Sequence, residues 1–522
     1  MTSTTMPSDA RRNSVALVAI CLASLMFGLE ISSVPAILPT LEQVLRAGFK
    51  DLQWIMNAYT IACTTVLMAT GTLADRFGRK RVFLICTIAF GITSLLCGVA
   101  PDVSTLIVGR FLQGMAGGAM FICTVAVLSH QFREGAERSK AFVAWGVISG
   151  IGLGFGPVVG GLIVAASNWQ WVFLIQLPLA ALSLFLASGS VRESKDPYAG
   201  KLDVGGIVTL STAVFALTWY ITQGADLGFA SPRALGVLAT SAAAFAVFVR
   251  IELRAAHPMF DFSVFGIRAF SGAILGCVGM NVSYWPLMIY LPIYFQGALG
   301  YDSTASGFFL LAYTLPFLAM TPLAERLLQR YRARVAVPLG LFTIGAGLLS
   351  MAFGSSVAHA SGWTLLPGTL LAGIGIGLTN TPVTNTTTVS VSSDRAGMAS
   401  GIDVSARLIA LAVNIAVMGL LLQQGVASYL DSSAGGGLDA AQRHSLAQKI
   451  AAGNLDASDA IARAALAHGF DGLLLYGGLA AWVLAAASFL AFGAVRQLRS
   501  AASPAAPAAG EIECPNTASC PH

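Results

Sequence analysis

Charge is scarce in this sequence. Asp, Glu, Lys and Arg together make up 11% of its 522 residues, against roughly 25% in an average soluble domain. With 56% hydrophobic residues and a mean hydropathy of +0.74, the chain cannot keep its apolar surface dry as a soluble globule of this length. The formal net charge of +5 is not a nucleic-acid footprint. The basic residues sit in short clusters between apolar runs, the pattern of a membrane topology signal.

Metal and nucleophile chemistry is equally thin. Of eight cysteines, Cys21, Cys63, Cys86, Cys97, Cys123 and Cys277 lie inside apolar runs without metal-ligand spacing and read as small packing residues. Cys514 and Cys520 fall in an Ala/Pro-rich tail. The six histidines are mostly in loops or tails, no G-x-x-x-x-G-K-[ST] loop occurs, and no Ser/His/Asp or His/Glu cluster stands out. ATP-driven transport and intramembrane hydrolysis are therefore poor readings; no enzyme, metal site or cofactor is expected.

What the chain has in abundance is long apolar stretches. A spanning helix needs about 20 such residues, and fourteen stretches qualify: 14–38, 53–72, 82–100, 103–128, 141–165, 171–191, 204–222, 234–250, 270–295, 303–323, 335–355, 363–386, 397–422 and 472–494. Arg11 and Arg12 before the first stretch resemble a signal-peptide start, but the apolar run reaches Pro39, too long for an h-region, so it reads as an uncleaved helix. Alternate loops divide the Lys and Arg residues 22 to 6, with Arg110 and Arg407 inside spans. The richer set includes both termini, which predicts that both face the cytoplasm.

The expected organisation is a cytoplasmic tail (1–13), a six-helix bundle (14–191), a linker carrying spans seven and eight (192–267), a second six-helix bundle (268–494) with an outer segment (423–471), and a disordered cytoplasmic tail (495–522). A faint repeat supports the two halves. Residues 71–81 read GTLADRFGRKR between spans two and three, and residues 321–334 read TPLAERLLQRYRAR between spans ten and eleven. The outer segment has helix-compatible stretches at 440–452 and 457–467 but is too polar to span.

Several motifs resemble those of the major facilitator superfamily, and of its fourteen-helix drug:proton antiporters in particular. The loop with Gly71, Asp75, Arg76, Gly78, Arg79, Lys80 and Arg81 resembles the superfamily's signature loop. That resemblance implies a cytoplasmic latch between the halves, with Gly71 permitting close helix approach. Gly109-Arg110-Phe111-Leu112-Gln113-Gly114 resembles the R-x-x-Q-G motif of helix four. Helix five carries Gly146, Gly150, Gly152, Gly154, Gly156, Pro157, Gly160 and Gly161 and looks like the antiporter motif of drug exporters. Its glycines form no single stripe and thin the helix all round, while Pro157 removes a backbone donor. Residues 169–178 are similar to the W-R-W-x-F-x-I-N-x-P stretch of the fourteen-helix branch, with Gln170 and Gln176 where Arg and Asn are usual. Further echoes are Leu202-Asp203-Val204-Gly205, Gln223-Gly224 and the Tyr290–Gln296 stretch, so the resemblance covers about residues 14–494.

Only two carboxylates lie well inside the spans, Glu30 and Asp403. Glu30 is about 12 Å below the outer end of helix one and Arg110 about 10 Å below that of helix four, by the rise of a helix. In the fold the resemblance implies, both helices line the cavity, and Glu30 and Arg110 are expected to interact. Burial favours the protonated carboxyl and a nearby Arg the ionised one, so the pair suits proton coupling. Asp403 and Arg407, i and i+4 on one helix, read first as a self-neutralising pair. Trp54, Tyr59, Gln113, Asn281, Tyr284, Trp285 and Asn380, with Asp403 and Arg407, are candidates for the substrate cavity, although aromatic residues at helical spacing are more often packing.

The resulting expectation is an all-α polytopic protein of the major facilitator fold in the plasma membrane, the inner membrane of a bacterium. It is expected to export hydrophobic, cationic or aromatic small molecules against protons by alternating access, with no cofactor beyond the proton gradient. The alternatives are a dedicated exporter of one metabolite, an importer, or a non-transporting receptor or scaffold. The expected partners are substrate, protons and the lipid bilayer, not nucleic acid. A periplasmic or outer-membrane efflux partner is compatible with an exporter, though nothing in the sequence encodes one.

Overall fold

In a computed structural model the chain is described over residues 7–132, 135–195, 203–255, 260–357, 359–391, 396–433, 440–453 and 460–493. No strand occurs among the described residues. The first six expected spans become α1 (Pro7–Leu45), α2 (Phe49–Phe77), α3 (Arg79–Gly98), α4 (Val103–Gln131), α5 (Gly135–Ala166) and the pair α6 (Gln170–Leu174) and α7 (Gln176–Ser190). Spans seven and eight are α8 (Val204–Leu227) and α9 (Pro232–Glu252). The remainder are α10 (Arg268–Ser283) with α11 (Leu287–Ile293), α12 (Ser303–Tyr331), α13 (Ala333–Ser355), α14 (Gly362–Val389), α15 (Ala396–Ser433), the short α16 (Ala440–Ala452) and α17 (Ala460–Phe492).

Thirteen segments among the described residues are long and apolar enough to cross a membrane. The expected second span, at 53–72, is not among the thirteen. It lies within α2, which has 29 residues and carries Gln53, Asn57, Thr60 and Thr64, all buried. Helix starts are fixed by short polar side chains that accept from the free N–H groups of the first turn: Asp102 from Thr105, Asp203 from Gly206, Ser231 from Ala234, Asp302 from Ala305 and Ser361 from Thr364.

Span nine, expected as one run over 270–295, is broken at Tyr284–Pro286. Pro286 has no N–H to offer the Val282 carbonyl. The Asn414 amide of α15 donates to that carbonyl instead, and the Tyr476 hydroxyl donates to Asn414 Oδ1 at 2.8 Å. In a bilayer interior, where water cannot repair a lost backbone bond, such a replacement is required.

Helices α1 to α7 pack among themselves, chiefly α1 on α5 and α7, α2 on α4, and α3 on α4 and α7. Helices α10 to α17 form the second bundle through α13 on α14 and α17, α12 on α14, and α10 and α15 on α17. The inserted helices α8 and α9 pair with each other, and α8 also lies on α15 and α2. Much of the segment expected as an outer loop is helical: α15 runs on to Ser433, and α16 buries Ala447, Ile450 and Ala451 in the main core.

The glycines of α5 divide into two stripes, each spaced as one helix face. Gly152, Gly156 and Gly160 pack on α1, where Ser32 Oγ donates to the Gly152 carbonyl at 3.0 Å and a Cβ at position 160 would lie 2.8 Å from the Ser33 carbonyl. Gly150, Gly154 and Gly161 pack on α12, whose Thr314 hydroxyl donates to the Gly154 carbonyl at 2.6 Å. The absence of a single stripe thus reflects a helix clasped on two sides. The α5–α12 contact joins the bundles, as do Gln53 of α2, which donates to the Ile415 carbonyl at 3.3 Å and to Tyr290 Oη at 3.2 Å, and Gln296, which donates to the Ala36 carbonyl at 3.2 Å. These side-chain bridges gather toward the end of the molecule that holds the α1–α2 turn.

Candidate functional site

Glu30 and Arg110 meet in the first bundle. Both are fully buried, and Arg110 Nη1 donates directly to Glu30 Oε1. Burial of an ion pair is tolerated when the remaining donors and lone pairs are also used; here four helices supply partners, leaving Arg110 Nη2 without one among the described residues. Arg110 Nη1 also donates to Gln113 Oε1 at 2.7 Å, one turn along α4, and Nε donates to the Ile55 carbonyl of α2 at 3.2 Å. Gln113 in turn donates to Ser94 Oγ of α3 at 2.9 Å. Gln176 of α7 donates to Glu30 Oε2 at 3.1 Å. The guanidinium lies over the Tyr59 ring, 4.2 Å from its centroid, a cation–π contact in a dry setting. An Arg that costs about 2.5–3.5 kcal/mol to insert is thereby held by a charge, two carbonyl-type acceptors and an aromatic face. Gln176 stands where the resembled family has Asn, and it reaches the carboxylate all the same.

Asp403 and Arg407 form the second ion pair, with Arg407 Nη2 at 3.0 Å from Asp403 Oδ2. Arg407 is not spent on Asp403 alone: Nη1 donates to Asn380 Oδ1 at 2.5 Å and Nη2 to Thr384 Oγ1 at 2.9 Å on α14. The pair therefore pins α15 to α14. The other cavity candidates are placed as follows. Trp54 packs on Phe215 of α8, with ring centroids 5.5 Å apart. Asn281 donates to the Cys277 carbonyl at 2.8 Å. Tyr284 stacks on Tyr313 of α12 at 4.1 Å, and each hydroxyl donates to the other's carbonyl, at 2.6 and 2.8 Å. Trp285 stands edge-on to Tyr284.

The signature loop is a single-residue turn. Gly78, at φ +112°, separates α2 from α3, and a Cβ there would lie 2.7 Å from Glu193 Oε1. Glu193 is the residue that sequence reasoning missed: its carboxylate accepts from the N–H groups of Lys80 and Arg81 at 3.1 Å each, capping α3. Arg79 N–H donates to the Ser194 carbonyl at 3.0 Å and Lys80 Nζ to the Ser188 carbonyl at 2.6 Å. Arg76 lies near the Phe77 ring. The side chain of Asp75 is outside the described residues. Among the described residues, a Cβ at Gly71 would meet nothing within 4 Å in this conformation. Gly146, at the far end of the α5 glycine run, is likewise unpacked.

The family model described as Major Facilitator Superfamily matches residues 20–414. The chain belongs to the major facilitator superfamily. It is similar to the multidrug resistance protein Stp of Mycobacterium tuberculosis, with 32% identity over 441 residues, 84% of this chain and 82% of that one. It is 30% identical to the puromycin resistance protein pur8 of Streptomyces alboniger, covering 79% of this chain and 82% of that one. It is 27% identical to the quinolone resistance protein NorB of Staphylococcus aureus, covering 78% and 88%. Among solved structures, a POT family transporter in complex with a thioalcohol-conjugated peptide superposes with a TM-score of 0.64 at 14% identity over 91% of this chain and 95% of that one. A D-xylose–proton symporter gives 0.58 at 17% over 84% and 96%. These two likenesses concern the fold. As a major facilitator protein, the chain is an integral membrane transporter of small molecules and not an enzyme.

Proposed function

We propose that the protein exports lipophilic small molecules, cationic or aromatic, in exchange for protons, as a fourteen-helix drug:proton antiporter. The observation that carries the reading is the buried Glu30–Arg110 pair with its Gln113 and Gln176 supports. The drug-resistance names of the relatives favour export over import. With both termini in the cytoplasm of a bacterial inner membrane, the α1–α2 end is external, and the bridges of Gln53, Gln296 and Thr314 close it. The conformation is then inward-facing with Glu30 ionised against Arg110. A substrate cation entering from the cytoplasm competes with Arg110 for the carboxylate. After the bundles rock, a proton from the outside displaces the substrate, and return to the inward-facing state lets Arg110 reclaim Glu30 and release the proton inside. Two six-helix bundles, 14–191 and 268–494, do the moving, and the signature loop, tied here to 188–194 of its own bundle, engages the second bundle only in the outward-facing state. A dedicated exporter of one metabolite uses the same parts, and only a substrate panel separates the two.

The test uses everted vesicles carrying the protein and a panel of puromycin, tetracenomycin C, a quinolone and a lipophilic dye. Acidification of the lumen drives uptake of at least one compound, and Glu30→Gln abolishes that uptake while the protein remains inserted. Uptake by the variant at the wild-type rate removes Glu30 from the coupling role.

A further inference from the structure

The inserted helix α8 faces α2 along a stripe that is polar in its middle. On α2 the stripe is Lys50, Asn57 and Ile61, spaced i, i+7 and i+11; on α8 it is Val214, Thr218, Thr222 and Asp226, spaced four apart. Both ends of the stripe are in contact. Lys50 forms an ion pair with Asp226, and Ile61 shares a hydrophobic cluster with Leu210 and Val214. The two helices run antiparallel with the same rise per residue, so the seven residues from Lys50 to Asn57 match the eight from Asp226 back to Thr218. Asn57 is therefore level with Thr218, and Thr222 lies one turn nearer the α1–α2 end. One turn from Asn57 in the same direction, Gln53 reaches the backbone of α15.

These three side chains are buried, with Asn57 and Thr218 at 0% exposure and Thr222 at 6%. Among the described residues, neither amide atom of Asn57 has a hydrogen-bond partner, and neither threonine hydroxyl has one. Other threonines in the same helices, Thr60, Thr64 and Thr209, donate back to the carbonyl four residues earlier. Thr218 and Thr222 do not take that usual resort. Unpartnered polar atoms between membrane-spanning helices are costly, because the bilayer offers them nothing in exchange. The amide brings two donor hydrogens and a carbonyl oxygen, and each hydroxyl both donates and accepts. The charges of Lys50 and Asp226 cancel beside them.

We propose that the junction of α2, α8 and α15 is a binding site for a neutral hydrogen-bonding group, held between the Asn57 amide and the Thr218 and Thr222 hydroxyls. The group is a water molecule or a hydroxyl or carbonyl of the transported molecule. Either source assigns the inserted pair a chemical role, namely supplying two of the three ligands. Only the second source rests on the export reading.

The test compares wild type with Thr218→Val, which removes the hydroxyl at constant shape, and with Asn57→Leu. Thermal unfolding is measured on the purified full-length chain, and transport of puromycin, which carries hydroxyl and amide groups, is compared with that of tetraphenylphosphonium, which carries none. If water is the ligand, Thr218→Val lowers the melting temperature without any drug present, because it strips a used hydroxyl. If the transported molecule is the ligand, Thr218→Val leaves unfolding unchanged but raises the KM for puromycin about tenfold, the loss of one hydrogen bond, with less than a twofold change for tetraphenylphosphonium. Higher melting temperatures for both variants, with unchanged transport of both compounds, overturn the site. Should wild type transport neither compound, the transported-molecule arm fails while the unfolding comparison still decides the water arm.

Discussion

Glu30 on α1 and Arg110 on α4 are bonded to each other with no surface exposed to solvent, and each is held further by a glutamine, Gln176 on the acid and Gln113 on the base. The pair is neutral as a unit, which lets it sit among membrane-spanning helices. In the proposed cycle a proton or a substrate cation on Glu30 frees Arg110.

Removing one partner leaves the other charge uncompensated. Arg110→Ala is expected to destabilise the protein by about 3–5 kcal/mol, more than Glu30→Gln, whose amide still accepts from the guanidinium. Unfolding in detergent of both single variants and of Glu30→Gln with Arg110→Gln checks this. The double variant recovers part of the loss.

The two glycine stripes of α5 predict a positional pattern. Gly156→Ala drives a methyl group into Ser32 on α1, and Gly152→Ala places one 2.8 Å from the Leu25 carbonyl, so both lower the yield of folded protein. Gly146→Ala, with open space around it, leaves folding unchanged. Size-exclusion profiles of the three variants read the difference.

At the α1–α2 end, Asp226 joins Lys50 of α2 to His444 of α16, where His444 Nε2 lies 2.6 Å from Asp226 Oδ1. Burial pushes the Asp226 carboxyl up, but Lys50 and His444 outweigh it and the net shift is down. A lowered folded-state value means that the stabilisation is present above the unfolded value of about 3.9 and is lost as pH falls through the folded one. Asp226→Asn is therefore less stable than wild type at neutral pH, and the gap closes on strong acidification.

Glu193 caps α3 and fastens the Gly78 turn. Glu193→Gln loses the charge that faces the helix N-terminus and lowers the melting temperature slightly. Gln53→Ala, by contrast, removes a bridge between bundles. It raises labelling of a cysteine placed on the inner wall of α2 by a membrane-impermeant reagent added from the α1–α2 side, without loss of folded protein.

Much of the architecture was legible because apolar length is a local property. Equal depth, together with the resemblance that places both helices at the cavity, led to the pairing of Glu30 with Arg110, and the two are in contact. What escaped reading depends on neighbours remote in sequence. Glu193 looks like one of several mixed charges in the linker after span six, and only the fold brings it under α3. The break at Tyr284–Pro286 is signalled by Pro286, but the apolar run continues through it, and the repair by Asn414 comes from α15. Trp54 packs on Phe215 of the inserted helix, a neighbour remote in sequence.

The most direct test of proton-coupled export is proton movement triggered by substrate in proteoliposomes with no imposed gradient. An outward puromycin gradient is predicted to drive protons the opposite way in wild type, and Glu30→Gln is predicted to move no protons. Equal proton movement in wild type and Glu30→Gln, or puromycin transport by wild type without any proton movement, contradicts the account.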